Sequence, residues 1–224
     1  MIRYLYIIVG VLIGYVFSQI NVLDQIRNNH QIMNSDSQKS LSRAKAHDRA
    51  GQTNEAKLIY DELFNGHPDN QYIYSAFKSF LIKQKNWDEL IEISKIYSDA
   101  VEPSPYGKLN LAESFLLANR DNEAYKIFDK LFIKHSDDKK KIKRFLSKLV
   151  SNNKIEYVSD IVSELRSNKD NPDFFSKELG MYYHNKMEFS KSLNEYILYL
   201  SYNPNDIKYV RMKLMSFPVD DDIK

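Results

Sequence analysis

The sequence predicts an all-α chain. A row of helical hairpins forms an α-solenoid, closed by a capping helix and preceded by one membrane-crossing helix. Three observations carry this. The same punctuation returns every 34 residues between positions 37 and 206. Within each period, a small residue, an aromatic or β-branched residue and a large apolar residue follow at spacings of four and three, which gathers them on one helical face. Residues 4–17 are apolar without a break, and a run apolar all round suits a bilayer rather than one stripe of a soluble helix.

The chain opens with that run. Ser18 and Gln19 interrupt it, and Ile20, Val22 and Leu23 extend it. A membrane-spanning helix needs about 17–25 such residues, so residues 1–23 read as an anchor. Arg3 precedes the run, while Asp24 and Arg27 follow and cancel. This bias keeps the N-terminus cytoplasmic and sends the rest of the chain across the membrane. A cleaved signal peptide is the rival, with Val16 and Ser18 as the small-residue site before Gln19. Gly10 and Gly14 form a GxxxG spacing that lets two membrane helices approach closely. Residues 24–36 form a polar linker.

Five periods follow: 37–70, 71–104, 105–138, 139–172 and 173–206. In the second half of each, the marks are clearest. The first unit has Ala56, Tyr60, Leu63 and a closing Pro68; the third has Ala124, Phe128 and Leu131, with Ser136 at the proline place; the fifth has Ser192, Tyr196, Tyr199 and Pro204. Proline cannot continue a helix and separates one hairpin from the next. The first half carries Ala44, Ala112 and Gly180 at one register, and Leu81, Phe115, Leu149 and Tyr183 three residues further. Gly51, Lys85-Asn86, Asn119 and Asn152-Asn153 mark the turns, and Asn and Gly tolerate turn conformations. Trp87, Ile155 and Phe189 plug the hairpins just beyond. The second unit departs, with Lys78 at the small place, Leu90 for alanine, Ser94 for the aromatic, and its proline at Pro103. The fourth is weakest, with Leu146, Val158 and Val162. Residues 207–224 read as a capping helix, with Val210, Leu214 and Met215 on one face, and an acidic tail at Asp220–Asp222.

This pattern resembles the tetratricopeptide repeat family, whose unit is a 34-residue helix–turn–helix. The resemblance covers residues 37–206 and rests mainly on the first, third and fifth units. It implies a curved array whose first helices line a concave face that grips another polypeptide. The register then names that lining. The first unit supplies Leu41, Lys45, Asp48 and Arg49; the second Tyr72, Ser75, Ser79 and Lys83; the third Tyr106, Leu109, Asn110 and Glu113. The fourth supplies Lys140, Lys143, Arg144 and Ser147; the fifth Phe174, Lys177, Met181 and His184. Aromatic rings alternating with cations suit a peptide carrying some acidic residues. Leu41 and Lys45 stand where some family members place the lysine and asparagine of a carboxylate clamp, so that clamp is not implied.

Composition narrows the chemistry. The chain has 224 residues, net charge +2 and no cysteine, which excludes disulfides, thiolate metal sites and cysteine nucleophiles. His30, His47, His67, His135 and His184 are never within one helical turn of each other, so the spacing of a metal-binding pair is missing. The six glycines form no phosphate loop or dinucleotide fingerprint, and no serine sits in a nucleophile elbow. The reading is therefore a non-enzyme without cofactor, metal, nucleic acid or small-molecule substrate. The run Lys139-Lys140-Lys141 with Lys143 and Arg144 is either a solvated helix start or a place for phosphates or an acidic partner.

The expected function is a scaffold, tethered to a membrane, that holds a protein partner. Similarity to anchored repeat proteins implies a bacterial inner membrane with the repeats periplasmic, and a role as accessory or assembly subunit of an envelope complex. A chaperone-like factor for exported proteins and an N-anchored organelle import receptor are the alternatives.

Overall fold

The structure is a computed structural model that describes residues 35–168 and 171–217. All regular structure among these residues is helical. The helices are α1 (Ser35–Arg49), α2 (Thr53–Gly66), α3 (Gln71–Gln84), α4 (Trp87–Ala100), α5 (Pro105–Leu117) and α6 (Asp121–Lys134). Then come α7 (Lys139–Ser151), α8 (Ile155–Asn168), α9 (Ser176–Asn185), α10 (Phe189–Tyr202), a 3₁₀ turn (Pro204–Asp206) and α11 (Ile207–Leu214). None of these helices is long and apolar enough to cross a membrane. The apolar run at 4–17, with Gly10 and Gly14, lies outside the described residues, as does Asp220–Asp222.

The period is kept to the residue. The second helices begin at Thr53, Trp87, Asp121, Ile155 and Phe189, each 34 residues after the last. The reason is a turn repeated at the same interval. Gly51, Lys85, Asn119, Asn153 and Met187 all adopt left-handed backbone, with φ of 75, 56, 57, 58 and 60°. The next residue sends its N–H back to the carbonyl five positions earlier: Gln52 to His47 at 2.9 Å, Asn86 to Leu81 at 3.0 Å, Arg120 to Phe115 at 2.9 Å, Lys154 to Leu149 at 3.0 Å and Glu188 to Tyr183 at 2.9 Å. This closure satisfies carbonyls that the end of a helix leaves open.

The starts of the first helices are set by caps at the same interval. Asn70 accepts from Tyr72 N and Ile73 N at 3.0 and 3.2 Å, Ser104 from Tyr106 N at 3.4 Å, and Asp138 from Lys141 N at 3.0 Å. These side chains take up N–H groups that have no partner within the helix. The fifth unit has Pro172 there, which offers no side-chain acceptor. Its first helix starts at Ser176, not at the expected 173, after Phe175 in left-handed backbone at φ 65°.

The chain divides within α6, between Ile127 and Phe128, into two compact units. In the first unit α1 packs on α2, α2 on α3, α3 on α4 and α4 on α5. Its core is aromatic: Tyr60 stacks on Phe77 with centroids 5.5 Å apart, and Tyr74 on Tyr97 at 4.0 Å and 6°. Lys78 and Ser94, which depart from the repeat, act together here. Tyr74 OH meets Ser94 Oγ at 2.9 Å, Ser94 Oγ meets Ser114 Oγ at 2.6 Å, and Ser114 Oγ donates to the Asn110 carbonyl at 3.1 Å. The Lys78 amine sits 5.9 Å from the Tyr74 ring centroid. A serine replaces the aromatic because Tyr74 brings its own ring and a hydroxyl that needs a buried partner.

In the second unit α7 packs on α8, α9 on α10, and α10 on α11. Phe128, Phe145, Leu146, Leu149 and Val158 are fully buried. Phe132 meets Phe145 edge-on at 5.9 Å. Ala44, Ala56, Ala112 and Ala124, the small residues of the pattern, have no exposed surface.

Candidate functional site

The first unit carries a cavity of about 550 Å³ between α1 and α3. Successive helical turns put Lys45, Asp48 and Arg49 of α1 on its wall, and Tyr72, Ser75, Ser79 and Lys83 of α3 opposite. Tyr60, Ala76 and Phe80 form the floor. The structure therefore brings together, around one cavity, the residues that the register assigned to the first two units, Leu41 excepted. Leu41 is buried in the core, because its turn of α1 faces α2 rather than solvent.

The charges around this cavity are unequal in availability. Lys83 Nζ donates to Asp48 Oδ1 at 2.8 Å and to the Asp48 carbonyl at 3.3 Å, so these two are tied. Lys45 and Arg49 make no ion pair with a described residue. The cavity thus presents two free cations and the ring of Tyr72, which is 66% exposed. The Tyr60 hydroxyl at the floor is held above the usual phenol range by burial, with Asp48 adding and Arg49 opposing.

In the third hairpin the expected lining is engaged. Lys78 pairs with Glu113 and donates to Asn110 Oδ1 at 3.3 Å. Tyr106 is half-buried and Leu109 buried. Leu109 belongs to the core because α5 turns that side toward its neighbours.

The second unit puts its candidates to internal use. Lys143 donates to Glu178 at 2.9 Å and lies 5.7 Å from the Phe174 ring centroid. Phe174 is buried beside Phe175, a correction to its placement on an open face; the late start of α9 folds it inward. The Lys177 amine sits 4.3 Å from the Tyr209 ring centroid and 5.1 Å from that of Tyr199, and donates to Asp206 at 3.4 Å. His184 packs against Phe189 and Phe217, with centroids 6.0 and 5.2 Å away. Arg144 is exposed. Lys140 borders an open cavity of about 550 Å³ with Lys134, His135, Asp137, Asp138 and Lys139. Desolvation, then Lys141 and Lys134, hold His135 below the usual imidazole range.

Neighbouring first helices are also tied at an offset of 35, which reading the period alone missed: Asp48 to Lys83, Lys78 to Glu113 and Lys143 to Glu178. The signal was present as opposite charges one residue beyond the period. Among the described residues no group of three His, Asp or Glu side chains is placed to hold a metal ion.

No family model, no curated protein and no solved structure matches this chain.

Proposed function

We propose that this chain is a tetratricopeptide-type scaffold that binds a polypeptide in the cavity between α1 and α3, held beside a membrane by the apolar run at residues 4–17. The observation that supports this reading is the pairing of free cations, Lys45 and Arg49, with the exposed ring of Tyr72 across one open cavity. A flat aromatic ring offers contact area at low entropic cost, and arginine pairs with carboxylates. The partner is an extended or helical segment carrying acidic residues, and its carboxylates meet Lys45 and Arg49 while an apolar side chain covers Tyr72. The α-solenoid and its membrane setting, as an accessory subunit of an envelope complex, belong to the same proposal.

Crosslinking and pull-down of the full chain in detergent tests it. Partner capture falls at least tenfold in a variant carrying Arg49→Glu and Tyr72→Ala, with the far-UV circular dichroism unchanged. Undiminished capture by that folded variant overturns the reading.

A further inference from the structure

The basic run at the start of α7 takes no part in the cavity between α1 and α3. Between positions 130 and 144 the chain carries seven lysines and arginines against two carboxylates. Two of the seven are engaged within the fold: Lys141 pairs with Asp138 at 2.9 Å, and Lys143 with Glu178 at 2.9 Å. Lys130, Lys134, Lys139 and Lys140 are exposed, and none of them makes an ion pair with a described residue. Their positions converge. Lys130 and Lys134 lie one turn apart on α6 and share a face. Lys134, Lys139 and Lys140 line one open cavity of about 550 Å³ at the corner where α6 gives way to α7. Of the two carboxylates there, Asp137 and Asp138, the second is taken up by Lys141 and by the cap of α7. The lysines are left in excess.

An aliphatic side chain stands among these cations. Ile133 follows Lys130 by three positions, adjoins Lys134 and is 78% exposed. It is the one large apolar side chain exposed on α6 and α7. Such a side chain ringed by lysines fits an anionic lipid surface. It enters the boundary between headgroups and acyl chains, while the lysine stems lie along apolar surface and their amines reach the phosphates. Clusters of four or more cations gather anionic lipids in this way. Two other polyanions fit less well. Single-stranded nucleic acid needs open rings on which its bases stack, and the rings at hand are in use. Phe132 packs on Phe128 and Phe145, and Tyr157 donates its hydroxyl to Asp129. An acidic helix needs apolar anchors one turn apart, and α6 and α7 expose one. We infer that the corner between α6 and α7 docks on a bilayer containing anionic lipid, with Ile133 inserted and Lys130, Lys134, Lys139 and Lys140 on the headgroups. This contact shares the membrane setting of the proposed function but not its cavity.

The chain has no cysteine, so Ile133→Cys carries a single nitrobenzoxadiazole label that reports its surroundings. The full chain is reconstituted in nanodiscs of phosphatidylcholine alone, or of phosphatidylcholine and phosphatidylglycerol in equal parts. With anionic lipid the emission moves to the blue and spin-labelled lipid quenches it. With phosphatidylcholine alone neither occurs. Lys134→Gln with Lys140→Gln lowers the ratio of docked to undocked label at least tenfold, at unchanged far-UV circular dichroism, since each surface cation is worth roughly fivefold. A label at Leu58→Cys stays unshifted, because that site is 69% exposed but has Glu55, Asp61 and Glu62 within one turn. An unshifted label at 133 in anionic discs, or an equal shift at 58, overturns the inference. So does a shift of the same size in phosphatidylcholine alone. A shift that polyuridylate or polyglutamate evokes, and phosphatidylglycerol does not, gives the corner to another polyanion and also overturns it. A chain that associates with anionic discs but not with phosphatidylcholine discs keeps this surface and loses the apolar anchor. A chain that enters both discs with no shift at 133 keeps the anchor and loses this surface.

Discussion

Gly180 of α9 lies under the ring of Tyr196 of α10, so close that a Cβ there would stand 2.8 Å from both Cδ1 and Cε1 of the ring. The same approach lets Ser192 Oγ donate to the Gly180 carbonyl at 2.8 Å. Tyr196 has no exposed surface, so the ring cannot swing aside into solvent.

Gly180→Ala therefore forces α9 and α10 apart. The expected loss is about 1–3 kcal/mol, the usual cost of overpacking a core. Urea denaturation measures it. Adding Tyr196→Leu to Gly180→Ala recovers part of the loss, since contacting residues are not additive. Wild-type stability in the alanine variant would show that the two helices have room to spare.

Alkaline pH is expected to unfold the chain through its buried phenols. Burial, the largest cause, pushes Tyr74 and Tyr196 far above the ordinary value of 10.0. A raised folded value means that the native state holds the proton more tightly than the unfolded chain. The contribution is complete below pH 10 and declines as pH climbs above it. Absorbance at 295 nm should show a fraction of tyrosinate that appears only with loss of helicity. Complete ionisation of all tyrosines near pH 10 in the folded chain would contradict this.

Two ion pairs of the second unit should differ in worth. Arg166 donates to both Glu195 oxygens, at 3.2 and 2.7 Å, and to the Phe174 carbonyl at 3.0 Å, and its side chain is only 19% exposed. Lys143 makes one bond to Glu178 and is 44% exposed. Arg166→Ala is expected to cost about 1.5–3 kcal/mol, in the range for hydrogen bonds to charged groups. Lys143→Ala should cost under about 1 kcal/mol. Thermal denaturation of both variants checks the order.

Met187 holds left-handed backbone at φ 60°, which costs an L-residue roughly 1–2 kcal/mol. Glycine avoids that cost but gives back about 0.5–1 kcal/mol in chain entropy. Met187→Gly should thus stabilise the chain by roughly 0.5–1 kcal/mol, with a small rise in Tm. No gain would mean that the methionine side chain, 78% exposed, has contacts worth as much as the backbone relief.

That methionine also marks a limit of reading from sequence. Gly51, Asn119 and Asn153 announce a turn by residue type, and Lys85 does so through Asn86 beside it. Met187 carries no such signal, and its conformation follows from the closure of Glu188 onto Tyr183. The period itself was legible because side chains at spacings of three and four share a face whatever their identity. The caps Asn70, Ser104 and Asp138 were missed in the sequence, although each is an acceptor type one residue ahead of its helix, and their counterpart Pro172 goes with the late start of α9. Exposure was harder to read. Leu41, Leu109 and Phe174 stand at the register of the open face, yet the rotation of each helix buries them. The ties at an offset of 35 depend on which of several charges on a helix reaches its neighbour, and only packing decides that.

The tie between Asp48 and Lys83 has a mechanical consequence. It bridges the two walls of the cavity that also presents Lys45 and Arg49, and exposed pairs of this sort hold by less than about 1 kcal/mol. The acidic segment proposed above, if it settles between those walls, competes with Asp48 for the lysine. Occupancy would then unlatch one brace and let the neighbouring hairpins bow, so that the stiffness of the first unit reports whether it is loaded.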